Sequence, residues 1–155
     1  MGVNSKPSTL WYFAYGSNMS KAKFTGSRGI APIATTRVRL PHWRLIMEIP
    51  GLPYSEPAFG SITPRTALDL DVIGVAYLIT AEQYRRVVAS EGGGTAYADV
   101  AVVGVGLSAE DQLKLGNGQE IRTLVSSGMT RSPTPKPSLR YMVSKMNMDL
   151  RIVIS

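Results

Sequence analysis

The sequence predicts an α+β protein: a small mixed, mainly antiparallel β-barrel with one main packed helix. Three observations carry that class. Apolar and β-branched runs of strand length recur along the chain; residues 80–91 combine a helical apolar stripe with start and stop signals; and glycine, proline and asparagine punctuate the intervals. With 155 residues, 44% hydrophobic and 18% charged, the chain suits one domain over 1–155, residues 1–9 forming a flexible N-terminal segment.

Taken in order, "WYFAY", Trp11–Tyr15, is a compact apolar strand. Ser17 or Asn18 then caps a short helix around Ser20–Phe24, ended by Gly26. "TTRVRLPHWRLIME" alternates Val38 and Leu40, then Leu45 and Met47, with polar neighbours, and reads as one long strand kinked at Pro41. Three prolines and a glycine make residues 49–57 a loop, and "AFGSIT" is the next strand. "DVIGVAYLIT", Asp71–Thr80, is β-branched and apolar nearly throughout, the plainest strand of all. In the helix that follows, Thr80 caps with Gln83 as its capping-box partner, Tyr84, Val87 and Val88 form the stripe, and Gly92–Gly94 stop it. "AYADVAVVGVGL" and "QEIRTLVSS" return to strand, with Asn117-Gly118 as a hairpin turn. "SPTPKPS", residues 132–138, is a proline-stiffened surface loop, and "VSKMNMDLRIVIS" reads as the vestige of a helix or as a short final strand.

Composition removes several functions. There is no cysteine, which excludes disulfides, thiolate nucleophiles and cysteine-ligated metals, and the single histidine, His42, excludes a multi-histidine metal site. "MGVNSKPSTL" lacks the apolar core of a signal peptide, and Lys6 stands where a myristoylation signal needs Ser or Thr. No window approaches the roughly 20 apolar residues of a membrane span. The expectation is a cytoplasmic protein with no membrane partner. The net charge of +6 is concentrated at the C-terminal end: residues 122–155 hold six basic residues against one acidic, Asp149. These are dispersed, without a run or interleaved aromatics, so they read as a solvated face and predict no nucleic-acid partner.

Two constellations carry chemistry. A strand that ends in Tyr-Gly-Ser-Asn and turns into a helix leaves backbone N–H groups pointing outward, and Gly16 permits close approach. Such a turn suits an anion or a polarised carbonyl, although a plain strand-to-helix connection has the same pattern. Glu91, at the end of the marked helix, faces the negative end of the dipole beside glycines that leave it uncovered. It is a candidate general base, or an exposed residue on a frayed helix end.

"YFAYGSN", followed downstream by "SEGGGTAYADVAV" and then by "SPTPKPSLRY", resembles the γ-glutamylcyclotransferase family over roughly Tyr12–Tyr141, and "VIGVAYLIT" resembles the family's strand before its helix. The resemblance implies a small mixed barrel with a cavity, in which the glutamyl α-amine attacks its own γ-carbonyl to give 5-oxoproline and a free amine or amino acid. It implies no cofactor and a small-molecule substrate, and leaves room for a homodimer. Carried over by position, Tyr12, Phe13, Ala14, Tyr15, Gly16, Ser17 and Asn18 hold the substrate, Glu91 is the catalytic acid/base and Tyr141 is a substrate-contacting hydroxyl.

Three readings follow. The first is γ-glutamyl cyclotransfer on a glutathione-derived or γ-glutamyl-amine substrate. The second keeps the barrel and Glu91 but acts on an apolar molecule as an isomerase, lyase or cyclase of biosynthesis, which the apolar Leu52, Tyr54 and Phe59 suggest if they line the cavity. The third is a non-catalytic binding domain. A pocket lined by aromatic side chains, with no cation near the loop to receive an α-carboxylate, favours the second; a Glu91 carboxylate locked in an ion pair or facing solvent favours the third.

Overall fold

The structure, a computed structural model, describes residues 7–16, 19, 21–26, 28–52, 56–66, 68–91 and 97–126, with the backbone alone over 47–52 and 56–59. Eight strands and three helices follow one another within those residues: β1 (Thr9–Ala14), α1 (Lys21–Gly26), β2 (Ala34–Leu40), β3 (Trp43–Leu52), β4 (Glu56–Pro64), β5 (Val72–Thr80), α2 (Ala81–Ser90), β6 (Tyr97–Val103), β7 (Val105–Gly106), α3 (Ala109–Leu115) and β8 (Glu120–Ser126). Six strands form one sheet in the order β6-β8-β1-β5-β2-β7, and β3 pairs with β4 as a separate ribbon. All the pairings are antiparallel except β1 with β8, so the sheet is mixed.

The apolar run of β1 is explained by its place. It lies between β5 and β8 and is buried on both faces, which calls for continuous rather than alternating hydrophobicity. Trp11, Phe13 and Tyr15 pack with Val38, Leu40, Ile62 and Ile121 in one core cluster. Tyr12 and Ala14 pack with Phe24, Tyr77, Tyr84 and Val87 in the other. The second cluster is rich in ring contacts: Phe24 stacks on Tyr77 with centroids 4.3 Å apart, and Tyr12 lies 5.9 Å from Phe24 and 5.7 Å from Tyr84. α1 and α2 cover that face, while Ile62 of β4 contributes to the opposite one. The capping box of α2 is formed as expected, Thr80 Oγ1 accepting from Gln83 N–H at 3.1 Å and Gln83 Oε1 from Thr80 N–H at 3.0 Å. The chain is tied down from Ser8, whose carbonyl accepts from Ala81 N–H.

Several expectations are corrected. The sheet is α+β and mixed, but not a closed barrel: among the described residues no ladder joins its edges, β6 and β7. Those edges stand at opposite ends of the strand order, yet only Gly104 separates them in the chain, so the sheet curls until its rims meet and the seam is bridged covalently. A Cβ at Gly104 would overlap Val38 and Ile121, so at this corner only glycine clears both side chains. Pro41 does more than kink a strand. The Pro41-His42 turn, with His42 at φ 71°, ends β2 and sends β3 out of the main sheet into the ribbon. The expected loop at 49–57 belongs largely to β3 and β4, whose pairing runs to Leu52↔Glu56 past a bulge between Ile46 and Ile49.

α3 is a further difference. β6 and β8 do pair antiparallel, from Tyr97↔Ser126 to Val103↔Glu120, but their connection contains β7 and α3, and Asn117-Gly118 links α3 to β8. Ser108 caps α3 by accepting from Asp111 N–H at 3.1 Å. Asp111 then docks the helix on β2: its carboxylate accepts from Thr36 Oγ1 at 3.0 Å, Arg37 N–H at 3.1 Å, Arg37 Nε at 2.9 Å and Ser108 Oγ at 2.8 Å. Burial pushes this carboxyl up, but the Arg37 side chain and N–H, with the Ser108 and Thr36 hydroxyls, outweigh it and hold the group at about 2 against 3.8 ordinarily. A depressed carboxylate contributes stability above its unfolded-state value that disappears as pH falls through the folded one. Unfolding free energy is therefore expected to fall by about 2 kcal/mol between pH 4 and pH 2 through this group. Denaturant midpoints measured across that window should fall less steeply in Asp111→Asn than in the parent; parallel slopes would remove Asp111 from the acid response.

Candidate functional site

The turn after β1 is built from its anchors. Tyr15 donates its hydroxyl to the Leu124 carbonyl on β8, holding the strand end down. Gly16 accepts from Met19 N–H at 3.0 Å, closing a tight turn into α1, and the Met19 carbonyl accepts from the Tyr77 hydroxyl at 3.0 Å. Burial and the nearby Tyr12 raise the Tyr77 phenol above its ordinary range, so it stays a neutral donor.

The structure divides the expected substrate residues. Tyr12, Phe13 and Ala14 belong to β1, with side chains 4%, 0% and 1% exposed in the two core clusters. They form the end of the strand from which the turn leaves, with both faces packed in the core. Tyr15 and Gly16 lie just past the strand end; Ser17, Asn18 and Tyr141, like Gly92–Gly94, lie outside the described residues. Tyr54 lies outside them too, and Leu52 and Phe59 are described by backbone alone.

Glu91 is the C-cap of α2, its backbone N–H donating to the carbonyls of Val87 and Val88 at 3.2 Å each. Its carboxylate forms an ion pair with Arg28, the two side chains being 26% and 17% exposed. Arg28 also donates to Ser90 Oγ, which in turn donates to the Val87 carbonyl at 2.7 Å. Arg28 stands two residues beyond α1, which itself begins two residues after Met19. One six-residue helix thus separates the Gly16 turn from the arginine that grips Glu91. Reading the sequence missed Arg28 and Ser90; a lone arginine between Gly26 and Gly29 carries no local signal of its partner.

The other side of α2 is fixed as well. Tyr84 donates to Asp99 Oδ1 at 2.6 Å, and Arg122 grips the same carboxylate with Nε at 3.0 Å and an Nη at 2.7 Å. Burial, then the Asp99 carboxylate, raise the Tyr84 phenol well above its ordinary value. Arg122, expected on a solvated basic face, is therefore paired with Asp99 and Glu120; the other five basic residues of that group lie outside the described residues. Among the described residues no cluster of three acidic, histidine or cysteine side chains could hold a metal ion, and no helix is long and apolar enough to cross a membrane.

No family model matches the chain. Curated relatives do. It is 40% identical over 144 residues to gamma-glutamyl cyclotransferase aclK of Aspergillus oryzae, covering 86% of this chain and 52% of that protein. It is 36% identical over 148 residues to gamma-glutamyl cyclotransferase gliK of Aspergillus fumigatus, covering 86% and 54%. The chain thus spans about half the length of these two relatives. With gamma-glutamyl cyclotransferase verK of Clonostachys rogersoniana it shares 32% identity over 150 residues, covering 86% of this chain and 82% of that protein. Among solved structures, a gamma-glutamyl cyclotransferase superposes with a TM-score of 0.73 over 95% of this chain and 82% of that one, at 16% identity. A yeast gamma-glutamyl cyclotransferase specific to glutathione gives 0.66 over 96% and 90%, at 13% identity. The structural matches speak for the fold; by the sequence matches the chain belongs to the gamma-glutamyl cyclotransferase family.

Proposed function

We propose that the protein is an enzyme that releases 5-oxoproline from a γ-glutamyl amino acid, peptide or amine, with Glu91 as general acid/base. The observation that carries this reading is the partly exposed Glu91 carboxylate, fixed at a helix end and oriented by Arg28. The family relationship supports the reaction class.

The chemistry asks little beyond positioning and proton transfer. The substrate's α-ammonium gives a proton to the Glu91 carboxylate, and the freed amine attacks the γ-carbonyl carbon of the same molecule, closing a five-membered ring. Charge gathers on the former carbonyl oxygen. When the carbon–nitrogen bond to the leaving amine breaks, Glu91 returns the proton to that nitrogen, and the second proton of the attacking nitrogen passes by way of the same carboxylate to the departing amine, leaving a lactam N–H and an ammonium. An intramolecular attack needs the acyl group held in a near-attack geometry, and backbone N–H groups at the Gly16 turn are suited to the developing oxyanion.

The Arg28–Glu91 pair also bears on the alternatives. A cation stands at the candidate base, whereas the side chains of Leu52, Tyr54 and Phe59, on which the apolar-substrate reading rested, lie outside the described ones. Taken alone, the ion pair favours a non-catalytic binding domain; the family relationship favours an enzyme. Incubation with γ-glutamyl dipeptides, glutathione and γ-glutamyl amines, followed by assay of 5-oxoproline, separates the two: binding without product favours the binding domain.

The turn offers a second check. Gly16→Val places branched carbons where a backbone must meet its ligand, so binding of 5-oxoproline should be lost. Unchanged affinity would reduce the turn to a connector.

A further inference from the structure

Resting on the cyclotransferase reading, we propose that Arg28 is the receptor for the substrate's α-carboxylate, so that Arg28 and Glu91 together recognise the amino-acid head of the γ-glutamyl group. The two side chains are in direct contact, one cationic and one anionic, and both remain partly exposed at the end of α2. A free α-amino acid head carries the complementary pair on a single carbon: an ammonium and a carboxylate. If the ammonium must reach Glu91 to give up its proton, the carboxylate one bond away from the same carbon falls on whatever stands beside Glu91. That neighbour is Arg28.

The guanidinium is suited to the task. It presents five donors in a planar fork that matches a carboxylate bidentately. Its placement is fixed from two sides, since one nitrogen donates to Ser90 Oγ and another to Glu91 Oε1, and Ser90 is itself tied to the Val87 carbonyl. The resting ion pair then has a role: it keeps both partners in place and compensated until a zwitterion exchanges with it, ammonium for guanidinium at Glu91 and carboxylate for carboxylate at Arg28. Such an exchange breaks one charge pair and forms two, so the cost of separating Arg28 from Glu91 is offset. It also sets specificity, because a compound lacking the α-carboxylate would break the resting pair without replacing it.

The test compares two substrates that differ only in that group. γ-Glutamyl anilide cyclises to 5-oxoproline, and 4-aminobutanoyl anilide, its decarboxylated counterpart, cyclises by the same attack to 2-pyrrolidinone; both release aniline. The parent protein is expected to prefer the γ-glutamyl compound in kcat/KM. In Arg28→Met that preference should shrink about ten- to a hundredfold, the loss typical of a charged hydrogen-bond partner, and fall mainly on KM for the γ-glutamyl compound. Arg28→Lys keeps the charge without the fork and should lose part of the preference; if the methionine variant does not fold, the lysine variant decides alone. An equal loss on both substrates, or an unchanged preference in a folded variant, assigns the carboxylate elsewhere and overturns the proposal. A parent protein that turns over neither compound nor any member of the γ-glutamyl panel overturns the cyclotransferase reading itself, a pattern distinct from loss of preference alone.

Discussion

Glu91→Gln is expected to leave a folded protein whose turnover of γ-glutamyl compounds is lower by about 10²–10⁴-fold, the usual contribution of a general base. Glutamine has the same length, and its carbonyl oxygen still accepts from the Arg28 guanidinium, so the link between the exit of α1 and the end of α2 is kept. The cap of α2 is unaffected, since Glu91 closes it through its backbone N–H. What is lost is the ability to take the proton of the α-ammonium. Loss of turnover with a midpoint within a few degrees of the parent is therefore the signature, read by 5-oxoproline assay and thermal unfolding on the same preparation. Activity within a few-fold of the parent excludes Glu91 as the base.

The largest effect on stability is expected at Gly74. A Cβ there would lie 2.6 and 2.8 Å from Phe13 ring atoms and closer still to the Ala14 carbonyl oxygen. A side-chain tip could swing away, but a backbone carbonyl in β1 cannot move without disturbing the pairing of β1 with β5. Gly74→Ala should cost about 1–3 kcal/mol as overpacking, and Gly74→Val more. Because Ala14 ends the strand that leads to the Gly16 turn, turnover should drop in the alanine variant even where it remains folded. A denaturant midpoint equal to the parent's shows that β5 can yield here and removes the argument.

What could be read in the sequence, and what could not, follows from how local each signal is. β1 and β5 were legible because strands buried on both faces are apolar throughout, and α2 because its capping box spans only Thr80–Gln83. α3 was not: Ser108 and Asp111 do mark a helix start, but the valine–glycine run before them and Asn117-Gly118 after them look like a hairpin. The docking that stabilises this seven-residue helix depends on Thr36 and Arg37, which are 75 and 74 positions away from Asp111. The site divides in the same way. The Gly16 turn and Glu91 are written in contiguous motifs, whereas Arg28 meets Glu91 across 63 positions and becomes visible only when α1 and α2 are packed. The barrel failed for a related reason: a rim joined by one residue of chain and a rim joined by a ladder have the same strand pattern.

The place of β1 also fixes when the site comes into being. Its neighbours are β5 and β8, and the bonds that hold its end, Thr123 Oγ1 to the Phe13 carbonyl and the Tyr15 hydroxyl to the Leu124 carbonyl, span 110 and 109 positions. On a ribosome this strand emerges before β5 and β8, as a naked apolar stretch, and waits for nearly the whole described chain before its second edge is covered. Contacts of such separation close late and slowly, so the turn that would hold the substrate is synthesised before the strands that pin it and takes its working shape only after them. A nascent chain halted before Glu120 would display Trp11–Tyr15 with one flank open, bait for chaperones and for its own kind.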